Sequence, residues 1–149
     1  MNGLKRKLFF IETPEDLCGL IMDPNKRIVV LSQTTQDQEF VDSASAAIAK
    51  KYPHAEVIDS ICLTTHHRQS EIKQLAQEND LILTIGSPES ANSTRLWEIA
   101  SRLSDNSHFI QRSADIEEEW LSGVKSVAIT AGASTPRWII DSVIEFLEK

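Results

Sequence analysis

The residues able to do chemistry collect in four short stretches, each rich in hydroxyls or other donors. Cys62 leads into Leu63-Thr64-Thr65-His66-His67-Arg68-Gln69, a polar and partly cationic setting that favours a thiolate. Nucleophile, metal ligand and inert core thiol are all open to it. Gly86-Ser87-Pro88-Glu89-Ser90-Ala91-Asn92-Ser93 sets hydroxyls and an amide directly after an apolar run, and Ser32-Gln33-Thr34-Thr35 and Ala131-Gly132-Ala133-Ser134-Thr135-Pro136 do the same. Where a strand hands over to a helix, free backbone N–H groups and the positive end of the helix dipole converge, which suits a small anion. A hydroxyl in that place also caps the helix, and capping accounts for any one stretch by itself. Thr34, Thr35, Cys62, Thr65, Ser90, Asn92 and Ser134 all fall at such strand ends, and their recurrence at one sheet edge favours a small anionic ligand.

Other chemistries lack an anchor. There is no G-x-S-x-G elbow, and five glycines are too few and wrongly spaced for a phosphate-cradling or dinucleotide loop. His66 and His67 are adjacent and point apart once a helix has begun, so they make a poor two-histidine metal site. Cys18 has no histidine or second cysteine at ligand spacing and reads as a small packing residue inside a helix.

The elements that must position these residues alternate regularly. A short strand at 8–11 precedes Thr13-Pro14-Glu15, which offers a cap, a proline for the first helical position and an acid in the first turn. A strand at 27–31 leads to a helix that turns Val41, Ala44 and Ile48 inward. A strand at 56–61 leads to one burying Ile72, Leu75 and Ala76. Leu81-Ile82-Leu83-Thr84-Ile85 has no polar alternation and reads as a strand covered on both faces, with a helix at 94–103 behind it. A weaker strand at Phe109-Ile110, a short helix from Asp115 to Trp120, a strand at 126–130 and a closing helix on Ile140, Val143, Ile144 and Leu147 complete the chain. This alternation predicts an α/β fold of short parallel sheets flanked by helices.

With 41% apolar and 25% charged residues among 149, the composition is that of an ordinary globular chain. A net charge of −7 without a dense basic cluster argues against nucleic acid or an anionic membrane as partner. The basic start Leu4-Lys5-Arg6-Lys7 precedes only four apolar residues before Glu12, too few for a signal peptide. The expected location is cytoplasmic, with Cys18 and Cys62 as separate reduced thiols.

Four pieces together carry a resemblance: Ser32-Gln33-Thr34-Thr35; Ile61-Cys62 with Arg68-Gln69; Gly86-Ser87-x-x-Ser90-x-Asn92-Ser93-x-Arg95-Leu96; and Thr130-Ala131-Gly132-Ala133-Ser134-x-Pro136. In order and spacing they resemble the C-terminal half of the 4-hydroxy-3-methylbut-2-enyl diphosphate reductases, the IspH or LytB family of isoprenoid biosynthesis. The resemblance implies a three-lobed α/β protein around a [4Fe–4S] cluster, one cysteine from each lobe, an open iron position for the substrate hydroxyl, and an electron donor. It makes Cys62 the last of the cluster cysteines. Ser90, Asn92 and Ser134 become holders of the isoprenoid diphosphate, and Thr34 or Thr35 a neighbour of the reacting hydroxyl.

The departures from the family pattern are equally specific. The family's first two cluster cysteines, its substrate histidines and its catalytic glutamate belong to an N-terminal half that this chain does not match. Ala91 stands where the family has a serine, and His66-His67 stand where it has Thr-Asn. Two readings follow: part of a reductase, inactive and without a cluster on its own until the missing half is supplied, or a stand-alone diphosphate-binding module without redox activity. The preserved Cys62, Ser90, Asn92 and Ser134 favour the first, and Ala91 the second. Residues 1–58 are expected to form a partial lobe and 59–149 a complete one, with self-association through the apolar surface that a partial lobe leaves bare.

Overall fold

The computed structural model describes residues 7–149, so the basic start at Leu4-Lys5-Arg6 lies outside the described residues. The described chain forms two compact units, one built from residues up to Ser32 and from Gln38–Ser60, the other from Gln33–Asp37 and Ile61–Lys149. The segment carrying Thr34 and Thr35 therefore groups with the second unit, although the chain on either side of it belongs to the first.

In the first unit, α1 (Pro14–Cys18) is a single turn opened by Thr13, with Pro14 at its first position. The acid that closes the cap is Asp16, whose carboxylate accepts from the backbone N–H groups of Glu12 and Thr13 at 2.9 and 2.8 Å. Two short strands, β1 (Val29–Leu31) and β2 (Glu56–Ile58), pair in parallel with Val30 opposite Val57, and α2 (Gln38–Lys51) joins them. Leu20, Ile28, Ile48 and Tyr52 make the core. The Tyr52 hydroxyl accepts from the Met22 N–H at 2.9 Å and donates to the Leu20 carbonyl at 3.2 Å, pinning the chain between α1 and β1. Residues 8–11 form no strand, and Leu8 and Phe10 lie exposed. A run of four apolar residues resembles a strand by composition, but a strand exists only where a neighbour supplies the ladder.

The second unit is a three-layer sandwich. Its helices and strands are α3 (Leu63–Glu78), β3 (Leu81–Ile85), α4 (Ala91–Leu103), β4 (Ser107–Ile110), β5 (Val127–Ala131) and α5 (Arg137–Leu147). The sheet order is β4-β3-β5, all parallel, with Thr84 opposite both Phe109 and Thr130. All of β3 is buried, as its unbroken apolar run requires. Ile82 packs with Ile72, Ala76, Leu96, Ile99, Ala100 and Ala128 under α3 and α4. Leu81, Leu83 and Ile85 turn the other way, onto Ile110, Ile116 and Val143 with the inner side of α5. Burial of each aliphatic side chain of β3 contributes about 1.5–3 kcal/mol. The expected helix from Asp115 to Trp120 is instead two 3-10 turns, Ser113–Asp115 and Glu118–Leu121. Acids at helix-start positions produced the expectation, but no apolar stripe follows them to hold a longer helix.

Two separate sheets also correct the expectation of a single edge. Cys62 and the Thr34-Thr35 segment follow strands of the two-stranded sheet, whereas Ser90, Asn92 and Ser134 follow strands of the three-stranded one. Two strand-to-helix units look alike in sequence whether or not their strands pair.

Candidate functional site

Where β3 and β5 end, the second unit packs closely around the start of α4. Ser90 is the N-cap of α4 in extended geometry, and its Oγ accepts from the Ser93 N–H at 3.3 Å and meets the Ser93 hydroxyl at 3.0 Å. The helix begins at Ala91, earlier than the expected 94, so Asn92 and Ser93 stand in its first turn. Ser93 is 1% exposed and lies between Gly86 and Gly132, where a Cβ on either glycine would overlap its side chain. These glycines let the strand ends close around a helix N-terminus. The spacing of Gly86 and Ser93 was visible in sequence, but their contact with Gly132, 39 residues beyond Ser93, was not.

The loop bearing Ser134 is fastened to the same place. Gly132 N–H donates to the Ile85 carbonyl at 3.0 Å, the Thr135 hydroxyl donates to that carbonyl at 3.1 Å, and Thr135 N–H closes a turn on Gly132 at 3.0 Å. Ser134 is left exposed at the tip. The Asn92 side-chain nitrogen is buried without a hydrogen-bond partner among the described residues. Such a donor is costly to leave unpaired. Thr84 Oγ1 and Ser107 Oγ share that condition, so it marks the site only together with the helix N-terminus beside it.

Cys62 is exposed and is the N-cap of α3. Its thiol is held below the usual cysteine range, chiefly by the backbone N–H groups of Thr64 and Thr65 and then by the Thr64 hydroxyl. The cause is the helix N-terminus, not the histidines and arginine that the sequence suggested. Exposure also excludes an inert core thiol. Cys62 N–H donates to the Thr34 carbonyl at 3.0 Å, which sets the Thr34-Thr35 segment against the same helix end. Thr34 is exposed and Thr35 half-buried, whereas Thr65, expected at the strand-end crevice, is buried at 7% exposure. It falls on the inner side of the first turn of α3. His66 and His67 do not diverge, since their rings lie edge to face with centroids 6.2 Å apart.

Cys18 corrects a further expectation. It is exposed at the end of α1, a turn that buries none of its residues. A five-residue helix presents no continuous stripe, so an apolar-looking position on it need not face inward.

The family model described as "LytB protein" matches residues 1–148. The chain belongs to this family. It is 38% identical over 144 residues to the 4-hydroxy-3-methylbut-2-enyl diphosphate reductase of Haemophilus influenzae (strain PittEE), covering 95% of the chain and 46% of that relative. With the reductase of Aquifex aeolicus (strain VF5) it shares 39% over 143 residues, covering 96% and 49%. Among solved structures it resembles the E-1-hydroxy-2-methyl-but-2-enyl-4-diphosphate reductase from Plasmodium falciparum with a TM-score of 0.86 at 26% identity, covering 93% of the chain and 44% of that structure. A second, an (E)-4-hydroxy-3-methyl-but-2-enyl diphosphate reductase described as the terminal enzyme of the non-mevalonate pathway, gives a TM-score of 0.57 at 37% identity, with 91% of the chain and 46% of that structure covered. The chain thus spans about half the length of the curated relatives it matches.

LytB membership raises the question of an iron–sulfur cluster. Among the described residues no group of three or more His, Cys, Asp or Glu side chains converges as a metal site. In the second unit Cys62 is the lone thiolate donor, and a [4Fe–4S] cluster is held by several. The described residues therefore do not by themselves fit that group. What they present is an exposed thiol at one helix end and a cluster of hydroxyl and amide groups at another. No helix among the described residues is long and apolar enough to cross a membrane.

Proposed function

We propose that this chain is the C-terminal part of a cytoplasmic LytB-type reductase that turns 4-hydroxy-3-methylbut-2-enyl diphosphate into isopentenyl and dimethylallyl diphosphate. It is inactive alone and is completed by polypeptide carrying the family's remaining cluster cysteines, histidines and glutamate. The observation that carries this reading is the closed N-terminus of α4, with Ser90, Asn92 and the Gly86–Ser93–Gly132 contact beside the Ser134 loop. Backbone N–H groups and side-chain donors meet there on the positive end of a thirteen-residue helix, a place that receives phosphate oxygens. In this reading Ser90, Asn92 and Ser134 bind the substrate diphosphate and orient it. Thr34 or Thr35 stands beside the reacting hydroxyl. Cys62, at the N-terminus of α3, is one cluster ligand, and an external donor supplies electrons.

The test is anaerobic reconstitution with iron and sulfide, on the chain alone and mixed with the N-terminal segment of the Aquifex aeolicus relative. Alone, the chain is expected to stay colourless and inactive. With the segment, it should gain about four iron and four sulfide per complex and turn over the diphosphate substrate, with both lost in Cys62→Ser. A stable brown product from the chain alone, lost on Cys62→Ser, would overturn the reading as an incomplete enzyme. Diphosphate binding with no cluster under either condition would leave the anion-binding module instead.

A further inference from the structure

Arg68 and Gln69 are neighbours on the second turn of α3, and each reaches a backbone carbonyl in a different segment of the second unit, Arg68 at the end of β5 and Gln69 in the loop at 33–37. The Arg68 guanidinium donates through Nη1 to the Ala131 carbonyl, the last residue of β5 and the one before Gly132. Because the sheet order leaves β5 at an edge, carbonyls on its outer side have no strand partner among the described residues, and a side chain from α3 supplies one. Gln69, 4% exposed, donates from Nε2 to the Gln36 carbonyl at 2.9 Å. The segment it holds is fastened twice more, by Cys62 N–H on the Thr34 carbonyl at 3.0 Å and by Arg102 on the buried carboxylate of Asp37. One helix therefore carries Cys62 at its N-terminus and, within two turns, grips both loops that bear the candidate hydroxyls.

We propose that Arg68 and Gln69 are positioning residues, Arg68 for the Ser134 loop and Gln69 for the Thr34-Thr35 segment, so that both loops keep one geometry relative to Cys62. The assignment to substrate chemistry rests on the function proposed above, whereas the positioning itself rests on these contacts. The two arms are separable, since each side chain grips a different loop. A residue that merely stabilised the unit would loosen every part of it together.

Amide hydrogen exchange on the whole chain tests this, using Arg68→Lys, which keeps the charge but loses the planar fork, and Gln69→Glu, which keeps the size but sets an acceptor against the Gln36 carbonyl. Arg68→Lys should speed exchange at Gly132 and Thr135 by about tenfold or more and leave Cys62 unchanged, and Gln69→Glu should do the reverse, with the β3 amides unmoved in both. Uniform acceleration including β3, or none at all, would overturn the proposal. Titration with inorganic diphosphate, followed by amide chemical shifts, adds a readout that stability alone would not move. In Arg68→Lys the shift at Ser134 should shrink while those at Ser90 and Ser93 persist, with apparent affinity about threefold weaker. An unchanged Ser134 shift would count against Arg68 as a positioning residue. If diphosphate moves none of these amides in the unaltered chain, the proposed function loses its anion site, and the exchange pattern still decides the positioning.

Discussion

At the scale of single residues, Ser90 carries two duties that substitution can part. Its Oγ caps α4 by accepting from Ser93 N–H, so Ser90→Ala should cost about 0.5–2 kcal/mol in urea unfolding. Ser90→Asp restores a good cap but places a negative charge at the proposed anion site. It should unfold near the parent's midpoint while losing inorganic diphosphate binding. Equal loss of binding and stability in both variants would leave Ser90 a cap alone. Ser93 permits a second separation. A methyl at Gly132 would meet chiefly the Ser93 Oγ, its Cβ lying 3.4 Å away, whereas one at Gly86 would collide with both atoms. Gly132→Ala and Gly86→Ala should each destabilise by about 1–3 kcal/mol, and Ser93→Ala should relieve the first far more than the second in denaturation midpoints. The types and order of Ser90, Asn92 and Ser134 were legible from sequence because hydroxyls after an apolar run are a local pattern. Ser93 between two glycines was not, because its second neighbour is remote in the chain.

At the scale of elements, the strand-to-helix alternation was readable wherever an apolar run exceeded four residues or an amphipathic stripe exceeded two turns. β3 and α4 are the clearest cases, since Leu96, Ile99 and Ala100 are buried as their spacing demands. The 8–11 strand and the Asp115–Trp120 helix failed for one reason: short segments take their conformation from neighbours that a local pattern does not contain. The far end of the sheet shows how such neighbours act. Asp80, just before β3, accepts from Lys125 N–H at 2.9 Å and from Ser126 N–H at 3.1 Å, tying the start of β5 to the start of β3. These N–H groups hold its carboxyl below the ordinary carboxylate range. Folding therefore favours the ionised form, and the stability it contributes is present above the unfolded value near 3.9 and lost as pH falls through the folded value. Melting temperatures across pH should show Asp80→Asn less stable than the parent at neutral pH, with the gap closing as pH falls through and below the unfolded carboxylate value. A gap that persists in acid would assign the effect to packing instead of charge.

At the scale of the whole molecule, the sheets of the two units differ in how far they are covered. The second covers both faces of its parallel sheet, whereas in the first Val29 is 44%, Leu31 66% and Ile58 42% exposed on a sheet of only two strands. Parallel sheets are ordinarily covered on both faces, and two strands are few for independent stability. Self-association through these exposed apolar residues is the expected result. Sedimentation should show oligomers that Leu31→Lys with Ile58→Lys dissolves, and a clean monomer of the unaltered chain would contradict this.

Sequence alone determined what is local or repeated: the α/β class, the polar strand ends, and a family signature spread over four motifs that keep their order. Residue type and spacing carry that information because hydrophobic period and capping act within a few residues. Tertiary structure decided the rest. It split the strands between two sheets, drew Thr34 and Thr35 into the second unit through contacts to Cys62, Gln69 and Arg102, and acidified Cys62 by amides instead of nearby cations. Those outcomes depend on which distant groups meet, and pairing between distant segments is chosen by the packing of the whole unit, not by any stretch within it.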